Sequence, residues 1–249
     1  MMKLVFKKSA CTIAVLIVIV ITQLSFTQIK SANVFSGKSY NSNKMIGNKY
    51  ANVYDSMHLS TYGLSKQAFD YALKGYDYLL SLGKIKNDGV LSIVDFTMPS
   101  NVKRLFVIDV KSFSLLFNTY VAHGRNSGKA TASEFSNAPN SFESSLGFYI
   151  TSNTYNGKHG YSLRLEGEEQ GINDNALNRG IVMHCAPYVS EGFIKSQGYI
   201  GRSEGCPAIS PKVYKPIIEK IKDGSCLFMY STDEYYMSHS TILKNGAVA

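Results

Sequence analysis

Leu105-Phe106-Val107-Ile108-Asp109-Val110-Lys111-Ser112-Phe113-Ser114-Leu115-Leu116-Phe117 is the stretch that sets the texture of this chain. Two apolar, β-favouring runs flank the polar pair Lys111-Ser112, the pattern of a hairpin. Working outward, Val90 to Phe96, Phe113 to Val121, Gly147 to Ile150, Tyr161 to Leu165, Ile181 to His184 and Cys226 to Tyr230 repeat that texture as short strand-like runs. Helical spacing is confined to two places. Ser65 is placed to cap a helix carrying Phe69, Ala72, Leu73, Tyr76, Leu79 and Leu80, closed by Gly83. Pro211 is placed to open another through Val213, Ile217, Ile218 and Ile221, stopped by Gly224. The chain has no internal repeat, which argues against a propeller or solenoid. The expected fold is mainly β with a few peripheral helices.

The 249 residues, 45% hydrophobic and 18% charged, are enough for one large core and argue against wholesale disorder. The formal net charge of +8 is scattered, without a run of five or six basic residues. That suits a basic soluble protein or one drawn to an anionic surface, and it does not form a nucleic-acid footprint. Lys3, Lys7 and Lys8 precede an apolar run from Ala10 to Ile21, the layout of an export signal too short for a comfortable membrane span. Residues 1–27 are therefore expected to be a signal peptide or N-terminal anchor, with membrane association only if that segment is retained. Residues 28–52, rich in Ser, Asn, Lys and Gly, read as a linker. Residues 53–95 are expected to be a helical extension, 96–232 the main domain and 233–249 a tail.

Export gives meaning to the cysteines. Beyond Cys11 there are three, Cys185, Cys206 and Cys226, so an oxidising compartment leaves at least one thiol free. Two segments then carry chemistry. Ile181-Val182-Met183-His184-Cys185-Ala186 is an apolar strand ending in a histidine. Gly201-Arg202-Ser203-Glu204-Gly205-Cys206-Pro207-Ala208 is a turn presenting a cysteine 22 residues later. An imidazole can take the proton of a thiol, and the thiolate attacks carbonyls. Glycine before the nucleophile lets backbone approach a substrate, so amides around Gly205 and Cys206 are candidates for an oxyanion site.

The span from His184 to Ser203-x-Gly205-Cys206 resembles the L,D-transpeptidase catalytic domain (the YkuD-type domain), in particular its murein branch. Further ordered segments share the resemblance: Val121 to Arg125, Phe135 to Asn137, Ser144 to Tyr149 and Gly157 to Leu163, so that it spans about residues 60 to 230. The resemblance implies a β-sandwich or barrel-like catalytic fold, with Cys206 as nucleophile and His184 as base. It further implies that the backbone carbonyl of Cys185 orients the imidazole, and that Ser203 and Gly205 shape the turn at the oxyanion. The implied partners are peptidoglycan stem peptides, handled without cofactor in the periplasm or cell envelope, by 3–3 transfer or L,D-carboxypeptidase cleavage. Two positions depart from the family's pattern. Glu204 stands where many members carry histidine, and no Arg or Asn follows Cys206 closely.

Arg202, Glu204, Ser203, His123 and Asn173 are the candidates for gripping substrate, whereas His159, in a Gly-Lys-His-Gly turn, reads as exposed. No metal is expected, because adjacent His184 and Cys185 are awkward ligands for one ion and no Cys-x-x-Cys pair exists. A sortase-like protein transpeptidase also uses His then Cys, but it needs a downstream Arg that this chain lacks. The remaining alternative is a silent envelope-binding module. The sequence sets no oligomeric state.

Overall fold

The computed structural model describes residue 50 and residues 52–246. The expected export segment and nearly all of the expected linker lie outside the described residues. Among the described residues six α-helices accompany nine strands. In chain order they are α1 (Val53–Ser56), α2 (Lys66–Ser81), β1 (Val90–Asp95), β2 (Leu105–Asp109), β3 (Ser114–Thr119), β4 (Val121–Ala122), β5 (Gly147–Gly157) and β6 (Gly160–Gly167). There follow β7 (Val182–Cys185), α3 (Glu191–Gln197), β8 (Ala208–Ile209), α4 (Tyr214–Ile221), β9 (Cys226–Tyr230), α5 (Glu234–His239) and α6 (Thr241–Asn245).

The strands pair in the order β3, β2, β1, β9, β5, β6, β7, β8, β4. Only β1–β9 and β7–β8 run parallel. β3 and β4 occupy the two ends of that order, yet only Tyr120 separates them in the chain. The sheet must therefore curl round until its edges nearly meet, which removes most of the exposed edge. The mixed, nearly closed sheet is the barrel-like β fold the sequence implied.

The apolar runs have a physical cause. β1 and β9 are buried along their whole length. Strands covered on both faces read as continuous hydrophobic runs. α2 covers one side, capped by Ser65, whose hydroxyl accepts from the amide of Ala68 at 3.1 Å. It buries Ala68, Phe69, Ala72, Leu73, Tyr76 and Leu79 at helical spacing. Gly75 lets it ride close, since a β-carbon there would stand 2.0 Å from the Phe148 ring.

Three expectations need correction. The hairpin of β2 and β3 turns as read, with Asp109 accepting from the amides of Lys111 and Ser112. The boundary drawn at residue 96, however, cuts through the sheet: β1 is hydrogen-bonded to β2 on one edge and β9 on the other. Residues 233–245 are not a loose tail, because α5 and α6 are tied down by a buried carboxylate. Glu169 accepts from the Phe148 amide at 2.9 Å, from Tyr236 at 3.2 Å and from the hydroxyl of Ser240. The last helix of the main domain starts at Tyr214 rather than Pro211, so Pro216 falls in its first turn, where a missing N–H costs nothing.

Candidate active site

Strand register brings the two chemical segments together. β7 and β8 are parallel, with His184 level with Ala208. Cys206 sits two residues before β8, at the end of the preceding turn, where the Val182 amide reaches its thiol. The thiol of Cys206 points at the carbonyl of Gly180, 3.7 Å away.

The turn before Cys206 is held from both sides. Ser203 donates to the carbonyl of Cys206 at 2.6 Å and accepts from the amide of Gly205 at 3.1 Å. Ser144 donates to the carbonyl of Gly205 at 3.1 Å. Gly205 has φ +117°, and a β-carbon there would stand 2.7 Å from the carbonyl oxygen of Glu143. Only glycine fits. The Gly205 amide is thus engaged with Ser203 within the turn, which takes it out of the oxyanion role the sequence assigned.

The imidazole is fixed too. His184 Nδ1 lies 2.9 Å from the carbonyl of Cys185. A carbonyl only accepts, so Nδ1 carries the proton and Nε2 is the free basic nitrogen. His159, at the tip of the β5–β6 hairpin, stacks on His184 with centroids 4.3 Å apart and an interplanar angle of 27°. Burial, opposed by the Cys185 carbonyl and aided by His159, pulls His184 below its ordinary value. Burial pushes the Cys206 thiol up, against the downward pull of the Val182 amide and Arg179, while Glu204 adds to the rise. Both shifts favour the uncharged forms, thiol and neutral imidazole.

Around them opens a cleft of about 490 Å3, lined by Cys206, His184 and His159 and by residues of the surrounding loops. Its walls carry Arg125, Lys158, Arg179 and Arg202 against one carboxylate, Glu204. Arg125 lies 4.0 Å over the Phe142 ring and 3.7 Å from Glu204, both members of that ion pair being exposed. Arg202 borders the cleft while donating to the carbonyls of Arg125 and Gly128 at 2.9 and 3.0 Å. Among the described residues no three His, Cys, Asp or Glu side chains gather as metal ligands.

Two sequence candidates sit elsewhere. His123 is wholly buried, with Nδ1 2.6 Å from the Arg104 guanidinium and Nε2 3.3 Å from the Gly128 carbonyl. Burial and Arg104 press it down to about 4. Asn173 is also wholly buried, bridging the carbonyls of Leu146 and Phe148 and accepting from the Glu169 amide. Neither lines the cleft; both tie neighbouring backbone segments together. Conversely, Arg179 and the His159 stack escaped the sequence. Arg179 is four residues past Asn175 in an irregular turn, and no local period reports which way it points.

A family model described as the L,D-transpeptidase catalytic domain matches residues 60–230. A search of curated protein sequences finds no match. Similar solved structures include an L,D-transpeptidase from Mycobacterium smegmatis, at 15% identity and TM-score 0.36, covering 57% of this chain and 59% of that one. L,D-transpeptidase 3 from Mycobacterium tuberculosis aligns at 11% identity and TM-score 0.38, covering 57% and 61%. The helical cell shape determining protein Pgp2 of Campylobacter jejuni (K307A mutant) aligns at 13% identity and TM-score 0.41, covering 70% and 60%. The chain thus spans about 59% of the length of the first of these structures. With the match covering more than half of its residues, the chain belongs to the L,D-transpeptidase catalytic domain family.

Proposed function

We propose that the protein is an exported cysteine acyltransferase that acts on peptidoglycan stem peptides. The observation that carries this reading is that Cys206 and His184 line one basic cleft, the imidazole presenting Nε2 because the Cys185 carbonyl holds Nδ1. Nε2 takes the proton of Sγ as the thiol closes on a carbonyl carbon, here that of the third stem residue. The terminal D-alanine departs with a proton returned from His184, leaving a thioester on Cys206. A side-chain amine of a neighbouring stem resolves the thioester into a 3–3 cross-link, and water resolves it into a shortened stem. Export follows from the N-terminal residues, outside the described region, and residues 96–232 together with β1 form the catalytic unit.

The cleft suits such a ligand. Stem peptides carry free carboxylates, and Arg125, Lys158 and Arg202 present cations on the walls beside the thiol. The test is product analysis with disaccharide–tetrapeptide muropeptides. Mass spectrometry is expected to find released D-alanine together with cross-linked dimers or tripeptides. Turnover that persists in Cys206→Ala contradicts the assignment.

A further inference from the structure

Arg179 stands just before β7, and its side chain reaches back under the cysteine turn. Nη1 donates to the carbonyl of Ser136 at 2.6 Å and to the hydroxyl of Ser145 at 3.2 Å. Nη2 donates to the carbonyl of Glu143 at 2.7 Å and to the hydroxyl of Ser141 at 3.1 Å. These anchors bracket residues 136–145, whose Asn140 and Phe142 wall the cleft. The same Nη2 would lie 3.4 Å from a β-carbon on Gly205, the residue before the nucleophile. One step along the chain, the carbonyl of Gly180 receives the thiol of Cys206.

That geometry creates a problem and its answer. The Gly180 carbonyl favours Sγ–H and repels Sγ−, so deprotonation removes a favourable contact and installs an unfavourable one. His159, stacked on His184, works against a full imidazolium as the sole counter-charge. A fixed guanidinium at the foot of the turn offsets both. Both terminal nitrogens are already engaged with the loop, so what Arg179 offers the site is position and charge rather than a grip on ligand.

We propose that Arg179 is a positioning residue for Cys206, holding the 136–145 wall and stabilising the thiolate formed when the Sγ proton passes to His184 Nε2. In that step the S–H bond breaks, an N–H bond forms, and a neutral pair becomes an ion pair without any further reactant. The proposal rests on the assignment of Cys206 as nucleophile.

The test is alkylation of the full chain by iodoacetamide from pH 7 to 10.5, read on the Cys206 peptide by mass spectrometry so that Cys185 and Cys226 do not contribute. A change in thiolate stability moves the midpoint of the rate profile, whereas loosened packing alone changes its plateau. Arg179→Met is expected to raise the midpoint by about one pH unit, roughly a tenfold slower reaction on the rising limb. Arg179→Lys, which keeps the charge, is expected to stay near wild type. Ser141→Ala, which removes one loop anchor and no charge, is expected to leave the midpoint in place. An unmoved midpoint in Arg179→Met overturns the proposal, and so does a Lys variant shifted as far as Met. Should the Met variant not fold, Arg179→Gln, which also removes the charge, takes its place under the same criterion. A wild type with the expected midpoints that forms no product from muropeptides overturns the functional reading and leaves the role of Arg179 standing.

Discussion

Gly205→Ala tests how tightly the cysteine turn is built. The residue sits at φ +117°, and its β-carbon would meet the Glu143 carbonyl at 2.7 Å, Ile181 Cδ1 at 3.2 Å and Arg179 Nη2 at 3.4 Å. The conformation alone costs a β-carbon about 1–2 kcal/mol. The overlap with a backbone oxygen that other bonds hold in place adds about 1–3 kcal/mol. The expected loss is therefore about 2–5 kcal/mol, a drop in Tm of roughly 5–15 °C for a domain of this size. Gly83→Ala is the control. Gly83 also has positive φ, at +68°, but nothing lies within 4 Å of its β-carbon, so only the conformational part should appear. Thermal unfolding followed by circular dichroism measures both. Cys206 alkylation, read on the same samples, is expected to change in the Gly205 variant and to stay at wild type in the control. Equal losses at the two glycines, or an unchanged Cys206 reactivity in Gly205→Ala, would refute the close approach on which the site geometry depends.

The remaining predictions concern charge and burial. His123 is held at about 4 when folded against its ordinary 6.5. Its depressed value means that the stability it underwrites is complete above pH 6.5 and is lost as pH falls toward 4, by about 3 kcal/mol over that window. Urea unfolding at pH 7, 5.5 and 4 should show this slope, and His123→Gln should flatten it. Glu169→Ala strips the partner from the Phe148 amide and from Tyr236 and Ser240, and should cost about 2–4 kcal/mol. Hydrogen exchange should then rise first in α5 and α6. Glu204 is exposed and raises the Cys206 thiol, so Glu204→Gln should speed Cys206 alkylation roughly twofold at pH 8, an effect that 1 M salt abolishes. Slower alkylation would place Glu204 in a supporting role instead.

The sheet was legible because strands covered on both faces print as apolar runs, unbroken in β9 and interrupted only by Ser92 before Asp95 in β1, and because Ser65 and Gly83 punctuate α2. The pairing order was not, since β1 joins β9 across most of the chain and no local pattern records it. The outer half of β5, Thr154 to Gly157, is polar and half-exposed, so it carries no strand signal, yet it builds the hairpin that delivers His159. α3, α5 and α6 were overlooked although Ser190, Asp233 and Ser240 each cap a first turn. At the candidate site, the segments that carry Cys206 and His184 stood out by strand-end and glycine-turn context, and the fold sets both residues on one cleft. His123 and Asn173 misled because a polar residue beside a strand looks the same whether it faces a cleft or ties buried loops. Arg179 carried no signal in the sequence; only the fold brings a residue from the turn ahead of β7 close to Gly205, in the turn ahead of β8.

The most direct test of Cys206 as nucleophile and His184 as base is intact-mass detection of the acyl-enzyme after rapid mixing with a tetrapeptide muropeptide. Wild type is expected to gain the mass of the acyl donor less D-alanine, mapped to Cys206, with the adduct absent in Cys206→Ala and formed about 100-fold or more slowly in His184→Gln. An adduct on another residue, or one formed at the wild-type rate in His184→Gln, would contradict the account.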